Sequence, residues 1–507
     1  MNYNTKLKDM HNLCNHEGAT AYVMTPELEL YTAVVTASLS DTFYEKQDVR
    51  ADRIARLIAK VKPEFVARLA VYTRTQMHLR SIPLLLLVEL ARVHNGDDLV
   101  ARAVEKTVLR ADEIMELLMC YQWRNPSADT RKKLGRLSRQ IQNGLQGAFN
   151  RFDEYQFAKY DRDNLEVKLR DALFLVHPKA KDEQQQALFD KIANRQLATP
   201  YTWETEFSAL GQLTFETPEM KLTAVREKWE ELINSGKLGY MALMRNLRNM
   251  LLADVSLLEM QRVASHLADA HWVDRAKQLP FRYLAAYREI EQVHSPHTAM
   301  LMNALEAAVK CSTANIEGFD ERTRVLVASD VSGSMRTPVS PNSSVRNYDI
   351  GILLSMLLRS RCHQVVAGIF GDEWKVVNMP TDNILMATRQ LERLGNTVGF
   401  STNGYKVIDW LIAHNMVMDK VMMFTDMQMW DSTGRQQAIE DSWKRYKLMA
   451  PQARLYLFDL TGYGQLPMRL VEPHVYLIAG WSDRVFNVLE AIDHGSDALN
   501  VINHVDV

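Results

Sequence analysis

Three oxygen-bearing side chains lie two residues apart in the segment RVLVASDVSGSMRT, residues 324 to 337: Asp330, Ser332 and Ser334. In a locally extended loop this spacing turns all three side chains to one side, and Gly333 lets the backbone bend around whatever they hold. A carboxylate with two hydroxyls is an all-oxygen ligand set, which suits a hard divalent cation such as Mg²⁺. The alternative for the two serines is local, since serines also cap helices and tighten turns.

A second carboxylate is expected at the same place. The apolar run that ends at Asp330 is typical of a strand, and so is the run VMMFT that ends at Asp426. In a parallel sheet the carboxyl ends of the strands lie along one edge, where ligands bind. We therefore expect both carboxylates to face that edge. A cation held there keeps an open coordination position, which would attract an acidic oxygen from a partner.

No hydrolytic or dinucleotide-binding motif accompanies these residues. SGSMR is not a G-x-S-x-G elbow, no HExxH occurs, and the glycines of GYGQLP are not followed by a helical pattern. The sequence therefore predicts a protein that is not an enzyme.

Short apolar runs alternate with helical segments after about residue 320. The runs are TRVLVASD, QVVAGIFGD, DKVMMFTD, ARLYLFDL and HVYLIAG, and the helical segments include YDIGILLSMLLRS and YKVIDWLIAHN. This alternation predicts a doubly wound α/β domain with a mostly parallel sheet.

From about residue 26 to residue 310 the periodicity is helical instead. Ile54, Leu57, Ile58 and Val61 form one apolar stripe, and Pro63 and Pro83 each suit the first turn of a new helix. Closely spaced helices of this kind predict a stack of antiparallel helices, although no fixed repeat period is visible. We place the boundary between the two halves in CSTANIEGFDE, residues 311 to 321.

Composition and charge limit the function classes. The 507 residues are 47% hydrophobic and 24% charged, as in a soluble globular protein. No apolar segment reaches about 18 residues and the first residues have no hydrophobic signal core, so we expect a cytoplasmic protein without a membrane segment. The formal net charge is −2, so any phosphate-binding function requires a local basic patch. Residues 131–181 provide one, with 12 Lys plus Arg against 6 Asp plus Glu.

The D-x-S-x-S pattern in an α/β domain resembles the metal-ion-dependent adhesion site of von Willebrand factor A-type domains. The resemblance implies a threonine from a second loop and an aspartate from a third. Thr402 in GFSTNGYKV matches the threonine, and Asp426 matches the aspartate.

Several stretches of the helical half resemble the TROVE module of the Ro autoantigen family. They are NHEGATAYVMTPELELYTAVVTASLSDTFYE, ARLAVYTRTQMHLRSIPLLLLVELA, LRDALFLVHPKAK, LGYMALMRNLRNML and KQLPFRYLAAYRE, although SLSDTFYE replaces a glycine-rich turn of many relatives. The resemblance implies a ring of HEAT-like helical repeats over residues 1–315 and an A-type domain over residues 316–507. It also implies that small structured Y-like RNA binds the outer surface and that single-stranded ends of misfolded RNA enter a central hole.

The same resemblance suggests which residues contact RNA. Lys159, Arg162 and His177 fall where the family has RNA-contacting basic residues and a histidine. Other basic residues of the patch could extend this surface: Arg131, Lys132, Lys133, Arg136, Arg139, Lys168 and Arg170. The alternative for each of them is a solvated amphipathic face. Five aromatic residues could stack on bases or pack in the core: Phe149, Phe152, Tyr155, Phe157 and Tyr160.

Two functional hypotheses follow. The first is a noncatalytic, monomeric RNA-binding protein of the Ro type, acting in RNA quality control and stress survival. For a bacterial protein the resemblance adds an exoribonuclease partner such as polynucleotide phosphorylase. The second is a metal-dependent interaction scaffold, in which the A-type site captures an acidic residue of a partner protein.

Overall fold

The computed structural model describes residues 13–14, 20–36, 47–126, 137–162, 164–276, 278, 280–312, 319, 321–339, 343–359, 362, 364–378, 380, 382–431, 438–468, 470, 474–480, 489 and 498–507. The chain divides into two compact units. The all-helical unit comprises Thr25–Asp41, Glu45–Thr205 and Gly495–Val507, and the sheet unit comprises Met1–Met24, Thr42–Tyr44 and Glu206–His494.

Two short strands precede a long series of helices. The strands are β1 (Leu13–Cys14) and β2 (Thr20–Val23). The helices that follow are α1 (Pro26–Val35), α2 (Gln47–Ile58), α3 (Pro63–Thr75), α4 (Ser81–Val93), α5 (Leu99–Thr107), α6 (Ala111–Arg124), α7 (Arg139–Phe149), α8 (Glu154–Ala158), α9 (Leu169–Val176), α10 (Glu183–Asn194), α11 (Trp203–Gly211), α12 (Pro218–Asn234), α13 (Tyr240–Leu252), α14 (Leu257–Ala268), α15 (Ala270–Ala276), α16 (Pro280–Glu291) and α17 (Thr298–Cys311).

Strands and helices then alternate, as predicted. They are β3 (Arg324–Asp330), α18 (Asn347–Arg359), β4 (Gln364–Phe370), β5 (Trp374–Val376), α19 (Ile384–Gly395), α20 (Tyr405–Ala413), β6 (Lys420–Thr425), α21 (Ile439–Met449), β7 (Arg454–Asp459), β8 (Gln465–Leu466), β9 (Val475–Ala479) and α22 (Ala498–Asn503). All five predicted apolar runs are strands.

In the all-helical unit, proline residues lie in the first turns of helices, and an apolar stripe determines which side of a helix is buried. Pro63 is the first residue of α3, and Pro83 is the third residue of α4, where a missing N–H costs no hydrogen bond. The predicted stripe of α2 is buried at Ile54 and Ile58. Because α2 ends at Ile58, Val61 lies beyond the helix, although it is also buried.

The larger sheet has six strands in the order β5-β4-β3-β6-β7-β9. All neighbouring pairs are parallel except β4 with β5, which lies at one edge. The register places Asp330 opposite Phe370 and Thr425 opposite Asp459. The carboxyl ends of the central strands therefore meet at one edge of the sheet.

A second, antiparallel sheet of order β1-β2-β8 was not predicted. Leu13 pairs with Ala21, and Tyr22 pairs with Leu466. Strands of two to four residues are too short to show a period of two in the sequence.

The predicted boundary segment, residues 311 to 321, lies mostly outside the described residues, and the division at residues 1–315 and 316–507 stays a prediction. The compact units divide the chain between Thr205 and Glu206, so helices α12 to α17 belong to the sheet unit. In the described part of the chain no helix is both long and apolar enough to cross a membrane.

A buried ion pair connects α16 and α18 within the sheet unit. Both terminal nitrogens of Arg288 donate to the carboxylate of Asp349, at 2.7 and 2.9 Å, and one also donates to the carbonyl oxygen of Ser344. The side chain of Asp349 is fully buried and that of Arg288 is 11% exposed. The pair fixes α18, which packs on β3 and β4, against α16.

Replacing Asp349 with asparagine leaves the Arg288 guanidinium buried without its counter-charge. We expect D349N to lower the free energy of unfolding by about 3 kcal/mol or more in urea denaturation. The control is D409N, which breaks the exposed Arg445–Asp409 pair and should cost less than about 1 kcal/mol. Equal losses in the two variants would show that the Arg288–Asp349 pair is not structural.

Candidate metal centre and basic surface

Asp330 is the last residue of β3 and is fully buried. Its Oδ1 accepts a hydrogen bond from the backbone N–H of Ser332 at 2.8 Å, and its Oδ2 accepts one from the hydroxyl of Thr425 at 2.8 Å. The first bond turns the chain immediately after the strand.

The loop after Asp330 is tighter than predicted. A 3₁₀ turn forms at Ser334–Arg336, so the expectation of an extended loop is wrong. Gly333 has φ −57° and ψ −42°, and a Cβ there would meet no atom within 4 Å, so this position does not need glycine. The turn still places the hydroxyls of Ser332 and Ser334 3.4 Å apart, and both residues are buried.

Asp426 follows β6 and is also fully buried. Its Oδ1 accepts a hydrogen bond from the backbone N–H of Gln428 at 3.0 Å, whereas its Oδ2 has no hydrogen-bond partner among the described residues. A buried carboxylate oxygen without a partner is costly, which makes it a candidate ligand atom.

Burial raises the pKa of both carboxyls above the ordinary range. For Asp330 the second cause of the raised pKa is the charge of Asp426. For Asp426, burial raises the pKa and the nearby hydroxyl of Ser334 partly opposes the shift. In the described part of the chain neither carboxylate forms an ion pair with lysine or arginine. The two like charges therefore repel each other in a buried site, where water does not screen them.

Thr402 lies at the same edge of the sheet. It is 4% exposed and precedes α20. Its carbonyl oxygen accepts a hydrogen bond from the N–H of Trp430, and the N–H of its neighbour Asn403 donates to the carbonyl oxygen of Gly371. The loop is thereby joined to the segments that follow β6 and β4.

The chemistry of these side chains fits a hard cation. Within the described ranges no three His, Cys, Asp or Glu side chains come together as ligands, so a zinc-type site is not indicated. Two carboxylates with hydroxyls match the oxygen ligands of Mg²⁺, which keeps several positions for water or a partner. The Oδ2 of Asp426, which no group in the described part of the chain contacts by a hydrogen bond, supplies a ligand oxygen.

A third carboxylate, Asp459, lies at this edge and was not predicted as a site residue. Asp459 ends β7, is fully buried, and accepts hydrogen bonds at Oδ1 from the N–H groups of Thr461 and Gly462. Its charge contributes to the raised pKa of Asp426. The sequence pattern that locates it is the apolar run LYLFD, which ends in aspartate, as do the runs that end at Asp330 and Asp426.

Lys159 lies on the basic surface of the all-helical unit. It follows α8 and is exposed. Its Nζ lies 6.0 Å from the ring centre of Tyr155 and 5.7 Å from that of Tyr160. Tyr155 is 50% exposed, so a cation and an aromatic ring are presented together.

His177 ends α9 in the left-handed conformation, with φ 49° and ψ 56°, and is exposed. Its carbonyl oxygen accepts a hydrogen bond from the side chain of Gln146 at 3.1 Å, which holds this turn against α7. One turn earlier, the guanidinium of Arg170 lies 5.5 Å from the ring centre of Phe174, and Phe174 is 50% exposed.

The other predicted RNA-contacting residues differ in how exposed they are. Arg162 is exposed, and Lys168 is half-buried and precedes α9. Arg139 is exposed at the start of α7, where it lines a polar cavity of about 650 Å³. Four predicted residues lie outside the described part of the chain: Arg131, Lys132, Lys133 and Arg136.

Three of the five candidate stacking residues belong to the core. Phe149, Phe152 and Phe157 are buried, and the ring of Phe157 lies 5.7 Å from each of the other two. The core-packing alternative is therefore confirmed for these phenylalanines, whereas Tyr155 remains available at the surface.

Two family models match the chain: the TROVE domain over residues 32–212 and 196–327, and the Ro60 vWA domain over residues 324–492. Among solved structures, the crystal structure of the Deinococcus radiodurans RO (RSR) protein has the same fold. The TM-score is 0.63 at 19% identity, over 93% of this chain and 100% of that one.

Two curated relatives share only part of their length with this chain. Telomerase protein component 1 of Mus musculus is 34% identical over 99 residues, 20% of this chain and 3% of that protein. The protein of the same name from Rattus norvegicus is 23% identical over 309 residues, 48% of this chain and 12% of that protein.

Removing one charge from the carboxylate pair should stabilise the protein in the absence of divalent ions. In chelator at about pH 7.5 we expect D426N to raise the free energy of unfolding by about 1 to 3 kcal/mol. The gain should shrink as the pH falls towards about 5, because the wild-type pair then takes up a proton and loses its repulsion. The measurement is urea denaturation across this pH range, with D409N as the control. A D426N variant less stable than the wild type at the higher pH would contradict a repulsive pair.

Proposed function

The chain belongs to the TROVE family and carries a Ro60-type von Willebrand factor A domain, and from this premise we propose that it is a noncatalytic RNA-binding protein of the Ro type. Its ligand would be small structured noncoding RNA of the Y-like class. The observation that carries the proposal is the pairing of exposed cations with exposed aromatic rings between α8 and the end of α9.

The chemistry of this surface suits RNA. Lys159 and Arg170 can pair with phosphates, while Tyr155 and Phe174 offer rings on which unpaired bases stack. His177 can donate to a phosphate or stack on a base, and its strained backbone is the kind of outlier that functional sites retain. Because the net charge of the whole chain is −2, affinity would come from this local arrangement rather than from the overall field.

A second candidate function concerns the edge of the sheet. Asp330, Ser332, Ser334, Thr402 and Asp426 would hold a divalent cation, Mg²⁺ by the chemistry of the donors, and the cation would supply an open position for an acidic group. This candidate is favoured by the Oδ2 of Asp426, which has no hydrogen-bond partner within the described ranges. The site would then let the protein capture an acidic residue of a partner protein while RNA binds elsewhere.

Several more specific expectations about architecture, ligands and cellular function rest on the family resemblance alone. They are a ring of helical repeats with a central hole, single-stranded ends of misfolded RNA as a second ligand, and an exoribonuclease partner such as polynucleotide phosphorylase. A monomeric state, a cytoplasmic location, and a function in RNA quality control and stress survival belong to the same set. Each stays a prediction.

The double substitution K159A/H177A tests the RNA surface. We expect affinity for co-purifying structured RNA to fall at least about tenfold, and the slope of log affinity against log salt to become shallower by about 0.7 to 0.9 for each lost phosphate contact. Electrophoretic mobility shifts at several salt concentrations measure both. The control is K191A, which removes an exposed lysine that pairs with Glu154. Unchanged affinity in K159A/H177A, or no preference over random RNA in the wild type, would refute the proposal.

The double substitution D330A/S332A tests the cation site. We expect it to abolish binding of Mg²⁺ in isothermal titration calorimetry, because it removes a carboxylate and a hydroxyl of the donor set. The control S355A removes a buried hydroxyl that donates to the carbonyl oxygen of Gly351 and is not one of the assigned ligands. The milder S332A/S334A should weaken binding without removing a charge. If Mg²⁺ binds D330A/S332A and the wild type equally well, the assigned ligands are wrong.

A further inference from the structure

An arginine and an exposed aromatic ring connect two of the loops that carry the assigned cation ligands. Arg336 ends the 3₁₀ turn that begins at Ser334, and Phe400 lies two residues before Thr402. The guanidinium carbon of Arg336 lies 4.8 Å from the ring centre of Phe400, which is a cation–π contact. The contact joins the loop after β3 to the loop before α20, and neither side chain is one of the assigned ligands.

The guanidinium of Arg336 is held in place by a neutral partner. One of its terminal nitrogens donates to the Oδ1 of Asn396 at 2.6 Å. Among the described residues no carboxylate pairs with Arg336. Its positive charge therefore keeps its full attraction for an anion, two residues along the chain from an assigned ligand of the cation.

The loop that presents Phe400 is rigid. Gly399 has φ +78°, and a Cβ at this position would lie 1.9 Å from the carboxylate of Asp372, so glycine is required. The N–H of Ser401 donates to the Oδ1 of Asp372, and the side-chain amide of Asn403 donates to its carbonyl oxygen, both at 2.9 Å. The ring of Phe400 is nevertheless 57% exposed. Because the loop is already ordered, covering this ring with a partner costs little conformational entropy.

The charges around these loops favour one acidic side chain over a polyanion. The carboxylates of Asp372 and Asp431 both accept hydrogen bonds from residues 401–405. The cation of Lys406, which follows that segment, is paired with Glu373 at 2.6 Å. A nucleic-acid strand needs several unpaired cations, and its phosphates would be repelled by these carboxylates. A single carboxylate side chain needs only the bound cation and one guanidinium.

We propose that Arg336 and Phe400 select the partner of the cation site, which is an acidic residue of a protein with apolar residues beside it. Arg336 donates a charge-assisted hydrogen bond to the carboxylate that the cation attracts. The neighbouring apolar side chain covers the ring of Phe400 and removes it from water. The inference rests on the second candidate function and names what that site recognises.

The test uses the full chain and three terminally blocked, biotinylated peptides on a streptavidin biosensor. The peptides are Gly-Leu-Glu-Leu-Gly, Gly-Ser-Glu-Ser-Gly and Gly-Leu-Gln-Leu-Gly, each in Mg²⁺ and in EDTA. We expect the wild type to bind the glutamate peptides in Mg²⁺ only, and to bind the leucine-flanked one at least about fivefold more tightly than the serine-flanked one. The glutamine peptide should not bind, because it has no charge for the cation and Arg336 to attract.

Two variants separate the two contacts. F400A should remove the preference for leucine over serine, and R336Q should weaken binding of both glutamate peptides at least about tenfold. Isothermal titration calorimetry should show tighter Mg²⁺ binding in R336Q, because a repelling positive charge is gone. R336K should retain most of the peptide affinity. The controls are R262Q, since Arg262 already pairs with Glu259, and L448A, since Leu448 is an exposed apolar residue of α21. Circular dichroism confirms that each variant is folded.

The outcomes distinguish this inference from the function on which it rests. Mg²⁺-dependent binding of both glutamate peptides that is equal in the wild type, F400A and R336Q would refute the selection by these residues and leave the cation site intact. A wild-type protein that binds Mg²⁺ but neither glutamate peptide would refute both. Weaker Mg²⁺ binding in R336Q would show that Arg336 supports the ligand loops rather than the partner. If the wild type binds oligouridylate in a Mg²⁺-dependent manner that R336Q abolishes, and ignores the peptides, the site takes phosphate and the inference is wrong.

Discussion

The edge of the six-stranded sheet buries two carboxylates of like charge, Asp330 and Asp426, that form no ion pair in the described part of the chain. Their position follows from the parallel order of β3 and β6, which brings the carboxyl ends of both strands to one edge. The hydroxyl of Thr425 and the backbone N–H of Ser332 are committed to one carboxylate, and the N–H of Gln428 is committed to the other. The loops at this edge therefore surround an unfavourable pair of like charges. A bound cation would neutralise the repulsion between them.

With a net charge of −2, the protein cannot attract RNA through its overall field, so binding has to depend on local groups. Cations beside exposed rings, as at Lys159 with Tyr155, provide such groups in the all-helical unit.

Strands β3, β4, β6, β7 and β9 were predictable because each lies in a short apolar run, and the rule that ligands gather at strand ends then located Asp330 and Asp426. The same rule points to Asp459, which ends β7 but was not predicted as a site residue. The shape of the loop was not predictable: the bond from Ser332 to Asp330 forms a turn, whereas the spacing alone suggested an extended segment. Helix α8 has five residues, too few for a periodicity that would separate buried Phe157 from exposed Tyr155.

The central claim is that RNA contacts this protein at defined cationic and aromatic residues. Ultraviolet crosslinking of RNA to the protein in cells, followed by mass spectrometry of the crosslinked peptides, tests it most directly. The account predicts crosslinks within residues 154–181, with Tyr155, Phe174 or His177 as the modified residues. Crosslinks confined to other segments, or an absence of crosslinked RNA, would contradict it.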